Sequence, residues 1–376
     1  MFYKTWGREG IDQNTIDQMD VAANLPVAVG GALMPDAHLG YGLPIGGVLS
    51  TEGVVIPYAV GVDIACRMKI SAFNADPHEL AYYPKHFGEI LEKHTHFGVG
   101  VSNPKLPDHP VLHEDWGVSP ITYENYETAC RQLGTSGSGN HFAEWGVITN
   151  GQDACIALMT HSGSRGCGAK VCNFYSKAAK TIRPEYGELA WLDLDTNLGR
   201  EYWDAMQLMG RYAAANHDII HDAIAKEICA QPTFRVENHH NFAWKETHNG
   251  REVIVHRKGA TPAGLGVLGV IPGSMGTPAF IVEGLGNPDS LCSSSHGAGR
   301  VMSRKQAKAT FDYEEEIANL ADEGITVLSA GADEVVGVYK DIWKVMAAQS
   351  DLVKVRETFF PKIVKMAPYQ KKHWEK

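Results

Sequence analysis

The sequence contains no apolar run near the roughly 18 residues that a membrane-spanning helix needs. Its opening, MFYKTWGREG, lacks the basic-then-apolar layout of a secretory signal. Together these absences predict a cytoplasmic protein without membrane contact. Cysteine is scarce and unpatterned. The seven are odd in number and form no C-x-x-C pair, which argues against a disulfide scaffold or zinc knuckle and for a reducing compartment. Positive charge is also short, with 34 Lys and Arg against 44 Asp and Glu and a net charge of -10, so a surface that coats nucleic acid over a wide area is disfavoured. A local basic groove stays open. No Pro/Ser-rich linker, charge block or internal repeat divides the chain, which predicts one compact domain over residues 1–376.

With 44% hydrophobic and 21% charged residues, a chain of 376 residues can bury a large core. Short runs rich in Val, Ile and Ala, namely GGVLSTEGVVIP, CRMKISAF, CIALMTHSG, EVIVHRKG and AFIVEGL, read as strands closed by Gly and Pro turns. Helical patterns fall near 75–95, 169–182 and 197–230, with two more toward the C-terminus. Strands and helices do not alternate steadily, so the expected class is α+β with mixed sheets.

Two motifs mislead. GLGVLG, from Gly264 to Gly269, matches G-x-G-x-x-G, but TPA precedes it and VIPG follows, and Pro272 would break the helix that a dinucleotide site needs. HDIIH, from His217 to His221, puts two imidazoles on one helical face as a metalloprotease does, yet Asp218 is shorter than the protease Glu. Trp203, Met206, Ala213, His217, Ile220 and Ile224 form one apolar stripe, which favours structural histidines there.

Seventeen histidines are many for this length, and several stand in small-residue turns. GVDIACRM offers Asp63 and Cys66; GTSGSGNHFAE offers Asn140, His141 and Glu144; THSGSRG offers His161 and Arg165; ENHHNFA offers His240 and Asn241. SSSHGAGRVMSR adds His296 ahead of Arg300. Singly, each has a structural explanation. Together they supply one carboxylate, one thiolate and several imidazoles, enough ligands for one metal or for two that share the cysteine.

These segments, with MPDAHLGYGLPIGG (34–47), HRKGATPAG (256–264), IPGSMGTPAFIVEG (271–284) and GADEVVGVYKDIWKVM (331–346), closely resemble the RtcB family of RNA ligases over nearly the whole chain. The resemblance implies a GTP- and Mn²⁺-dependent enzyme that joins an RNA 3′-phosphate or 2′,3′-cyclic phosphate to a 5′-hydroxyl, in tRNA splicing or RNA repair. It implies that His296 attacks the α-phosphorus of GTP to form a histidine-GMP intermediate. Asp63, Cys66, His141, His161 and His240 would then hold two manganese ions, Cys66 bridging them, although thiolate and imidazole by softness alone suit zinc.

By the same resemblance, Glu144 would accept from guanine, and Asn140, Asn241, Pro272, Gly273, Ser274, Met275 and Lys365 would contact the guanylate. Gly297, Ala298 and Gly299 are expected to bring backbone amides to phosphate at a helix N-terminus. Arg165 and Arg300 would bind RNA or nucleotide phosphate. Asp36 and His38 fall near the site, Asp36 orienting His296. The stretch around His296 holds no acid, consistent with a neutral nucleophile. An archease-type activator is the implied partner besides GTP and RNA.

Several positions depart from the family pattern. Ala65 and Arg67 replace the glycines usual beside the cysteine, Arg67 being expected to point away from the thiolate and add charge to the nearby surface. Pro262 stands for an Arg, Ala279 for a Ser, and the chain runs past Lys365 to MAPYQKKHWEK. Two alternatives therefore accompany the ligase: a dinuclear-metal phosphodiesterase or phosphatase, and a catalytically weak GTP-responsive RNA-binding homologue.

Overall fold

Alternation of side chains along strands organises the whole molecule, because it decides which residues see the cleft and which see the helices. A computed structural model describes residues 3–368; the departure from Tyr369 onward lies outside the described residues. One sheet has five strands, in the order Tyr3–Thr5, Ala28–His38, Ile45–Thr51, Arg251–Lys258, Phe242–His248. A larger sheet runs Leu268–Ile271, Ala279–Gly284, Val353–Met366, Phe142–Thr149, Ala154–Ser162, Arg67–Phe73, Pro232–His239, with Thr326–Ser329 pairing in parallel on Val353–Met366. The mixed sheets and irregular connections fit the expected class.

The larger sheet curls until its two ends meet. There the Asn238 side chain stands in for a ladder, accepting from Val270 N–H at 2.8 Å and donating to its carbonyl at 3.4 Å. Met68, Ile70, Ala72, Met159, Ile281 and Phe359 fill the inside of the curl. Residues on the other face of the sheet, including Phe73, Trp145, Leu158 and, beyond a register shift between Pro361 and Ile363, Ile363, pack outward against Phe87, Leu91, Ile220 and Ile224 of two helices. A third cluster binds the helices Arg165–Ile182 and Asn197–Glu227 through Tyr175, Tyr202 and Tyr212.

The long helix Asn197–Glu227 is capped by Thr196, whose hydroxyl accepts from Gly199 N–H at 3.1 Å. Its His217 and His221 are fully buried and share the Thr160 hydroxyl at 2.7 and 2.8 Å, while His221 also meets Ser71 Oγ at 2.8 Å. They are structural, as their stripe predicts. GLGVLG is a turn leading into the strand Leu268–Ile271, with no helix behind it.

The pattern read over 75–95 is two helices, Glu79–Tyr82 and Pro84–His94, because Pro84 interrupts the backbone bonding. Among the described residues, no helix is long and apolar enough to cross a membrane.

Arg67 does turn from the thiolate, but it adds no surface charge. It is buried, donates to the Gly210 carbonyl at 2.7 Å and pairs with Glu237.

These contacts make the fold sensitive to one substitution and to acid. Asn238→Ala leaves both polar groups of Val270 without partners and destabilises the fold by about 2 kcal/mol in urea melts. Burial also lowers His256 to about 4, and His239 to about 3, from the 6.5 of an exposed imidazole. The unfolded chain then takes up protons below pH 6.5 that the folded chain refuses until about pH 4, so stability falls with pH across that window and is unaffected by these groups above pH 7. For His256 alone the loss reaches about 2 kcal/mol by pH 5; an unchanged urea midpoint between pH 7 and pH 5 would contradict this.

Candidate active site

Both sheets open onto one cleft of about 940 Å³. The turn 61–66 delivers Asp63 and Cys66, the strand ends at 141 and 161 deliver two imidazoles, and the turn after Pro232–His239 delivers His240. Cys66 Sγ lies 3.3 Å from His141 Nε2 and 3.1 Å from His161 Nε2. His141 Nε2 is 3.0 Å from Asp63 Oδ2, and His161 Nε2 is 3.4 Å from His240 Nε2. Two triads result, Asp63–Cys66–His141 and Cys66–His161–His240, with the sulfur common to both. Ligand atoms held at about 2.0–2.3 Å from one cation lie about 3–3.5 Å from each other. The donor set thus fits a metal pair.

Electrostatics agree with that fit. Burial lowers His141, His161 and His240, taking His161 to about 3, so these imidazoles keep free lone pairs at neutral pH. Burial opposes the charge of Asp63, but the His141 bond and nearby Arg165 outweigh it and hold the carboxyl below its usual range. Burial and the Asp63 carboxylate push the Cys66 thiol up, so cation binding must expel its proton.

Backbone constraints bring these groups together. A Cβ on Gly163 would overlap the Asp63 carboxylate, which instead accepts from Ser164 N–H at 3.0 Å. Ala65 sits in the left-handed region at φ 55°, where the family's glycine would be relaxed. His161 Nδ1 meets the Asn140 carbonyl at 3.1 Å, which leaves Nε2 for the cluster.

His296 occupies the facing wall, its ring centroid 4.8 Å from that of His240. The local sequence holds no acid, yet the fold supplies one. Asp36, fully buried in the strand Ala28–His38, lies with Oδ2 2.6 Å from His296 Nδ1 and 3.2 Å from its backbone N. The expected helix N-terminus is also corrected: the helix starts at Arg304, capped by Ser303, so Gly297–Gly299 form an extended turn before it. Gly299, at φ 75°, is needed because a Cβ there would strike the Asp36 carbonyl. His38 also lines the cleft, and burial lowers it to about 4.

Asn140, Glu144, Asn241 and Pro272–Met275 line the same space. Glu144 is buried, and burial raises its carboxyl well above the usual range. Both polar atoms of the Asn241 amide are engaged, on the Asp63 carbonyl at 3.2 Å and Gly259 N–H at 2.8 Å.

Three side chains depart from expectation. Lys365 faces out of the cleft, bonded to Glu92 at 2.7 Å and to the Thr95 carbonyl at 3.1 Å, because alternation gives the inward positions to Val364 and Met366. Arg165 lies behind His141, its Nη2 3.1 Å from Nδ1. Arg300 lines the cleft but is held by Glu334 at 3.3 Å and the Asp333 carbonyl at 2.9 Å. Lys258, Arg304 and Glu334 also line the cleft, and sequence reasoning misses them. All three lie inside the motifs that carry the resemblance.

Comparison with known proteins places the chain in a class of ligases. The family model described as tRNA-splicing ligase RtcB matches residues 18–115 and 113–366. The chain belongs to the RtcB family. It is 36% identical over 360 residues to the RNA-splicing ligase RtcB of Escherichia coli K12, covering 86% of each chain. It is 32% identical to the Mycobacterium tuberculosis RNA-splicing ligase RtcB over 85% of this chain and 93% of that one. The tRNA-splicing ligase RtcB of Thermococcus kodakarensis is 29% identical over 89% of each.

Since the sulfur belongs to both triads, Cys66→Ala loses nearly all tightly bound divalent metal, whereas His240→Ala loses about half. Elemental analysis after dialysis distinguishes the two; equal losses would show that the triads do not act as two sites.

Proposed function

We propose that this chain is a GTP- and manganese-dependent RNA ligase that joins 3′-phosphate or 2′,3′-cyclic phosphate ends to 5′-hydroxyl ends through a histidine-GMP intermediate on His296. The relatives' names support RNA joining. The observation that carries the reading is the apposition of His296 to the Cys66-centred cluster, 4.8 Å between the His296 and His240 rings.

Asp36 takes the Nδ1–H of His296 and so leaves the Nε2 lone pair free to attack the α-phosphorus, with pyrophosphate leaving. A 2′,3′-cyclic phosphate is first opened by water to the 3′-phosphate. The 3′-phosphate then takes the guanylyl group from the histidine, and GMP departs when the 5′-hydroxyl attacks the activated phosphorus. Asp63, Cys66, His141, His161 and His240 would hold two manganese ions, which when bound neutralise phosphate charge and align the in-line displacement. Buried Glu144 would read the base, and Asn140 and the Pro272–Met275 turn would contact the nucleotide; that all of them line the one cleft supports these roles. An archease-type protein is the partner this reading implies.

Incubation with α-labelled GTP and Mn²⁺ tests the reading. Acid-labile label stays on the unmodified chain and is absent from His296→Ala. Asp36→Asn labels about 10²–10⁴-fold more slowly, because a carboxamide no longer fixes the tautomer. If the unmodified chain binds GTP and metal without taking label, the histidine-GMP mechanism is wrong and the phosphodiesterase or RNA-binding alternative replaces it.

A further inference from the structure

The segment between the strands Ala28–His38 and Ile45–Thr51 forms part of the cleft mouth and carries Tyr41, 69% exposed, beside Leu39. A lone exposed aromatic on a loose loop would mean little. This loop is not loose. Gln18 Nε2 donates to the carbonyls of Gly40 at 2.6 Å and Gly42 at 2.8 Å, and Gln18 Oε1 accepts from Gly40 N–H at 3.1 Å. Glu188 accepts from Gly42 N–H at 3.0 Å, and the Lys258 ammonium donates to the Tyr41 carbonyl. Gly42 adopts φ 68°, and a Cβ there would lie 3.2 Å from the Glu188 carbonyl oxygen, so the turn is fixed between its neighbours.

The backbone is therefore fastened from three directions while the ring is left in solvent. Fixing the backbone that carries a ring at an open mouth removes in advance the loop's share of the ordering entropy of binding a flat ligand. Lys258, whose ammonium holds the Tyr41 carbonyl, lines the same cleft and sets positive charge beside the loop. Unpaired bases at RNA ends stack on such rings.

We propose that Tyr41 is the stacking platform for the terminal unpaired base of an RNA end, seating that nucleotide so that its sugar-phosphate enters the cleft toward His296. This rests on the ligase reading for its substrate class. Stacking chemistry is the same for the 3′-phosphate end and the 5′-hydroxyl end, so the experiment separates them.

RNA carrying 2-aminopurine at its 3′-phosphate terminus, or in a second arm at its 5′-hydroxyl terminus, is titrated with the protein. Quenching in one arm is expected, retained by Tyr41→Phe and lost by Tyr41→Ala, with the KM for RNA raised about 10-fold by Tyr41→Ala relative to any change in labelling by GTP. Labelling by GTP also reports that the variant is folded. No quenching in either arm, or equal quenching by Tyr41→Ala, overturns the proposal. Failure of the unmodified protein to take label would instead count against the ligase reading, while the quenching arms still decide Tyr41.

Discussion

The sulfur of Cys66 is the point on which the site depends. Three imidazoles and a carboxylate from four separate segments approach it closely enough to serve as ligands in two triads. Charge alone would not hold these groups together: burial favours neutral imidazoles and a protonated thiol, and Asp63 keeps its charge only because His141 and Arg165 stand beside it. Glycine at 163, the Asn241 latch between the Asp63 carbonyl and Gly259, and the Asn140 carbonyl on His161 are the local means by which the chain brings the donors into range.

Across the cleft the same economy governs His296. Asp36 binds both the backbone and the ring of the histidine, and Gly299 lets the turn lie against the strand that carries that aspartate. The HGAG glycines thus serve close approach to protein backbone; no helix dipole stands at their end. Beyond them, Glu334 gathers Arg300, Arg304 and the Tyr339 hydroxyl, which fixes two guanidiniums at the cleft wall.

Much of the framework is legible in the sequence because strand signals are local. The five apolar runs read as strands are strands, and the helices at 165–182 and 197–227 lie where the periodicity places them. The strand Val353–Met366 is not legible, although it is central to the larger sheet: its Lys, Arg and Glu residues and the register shift between Pro361 and Ile363 break up any alternation. Without that strand, nothing in the sequence tells Lys365 away from the nucleotide. On a strand whose inward positions are Val364 and Met366, the residue between them must point to the opposite face.

The sequence by itself determined the inventory: which thiol, carboxylates and imidazoles exist, the turns that carry them, the structural character of the HDIIH pair, and the family to which the chain belongs. These rest on residue type and on periodicities of a few residues. Only the tertiary structure decided who meets whom. The Asp36 carboxylate stands 260 residues before the imidazole it binds, and Arg67 found Glu237 in the interior rather than solvent. Such pairings depend on strand register and sheet closure, which are set by the packing of the whole core and leave no mark within any single motif.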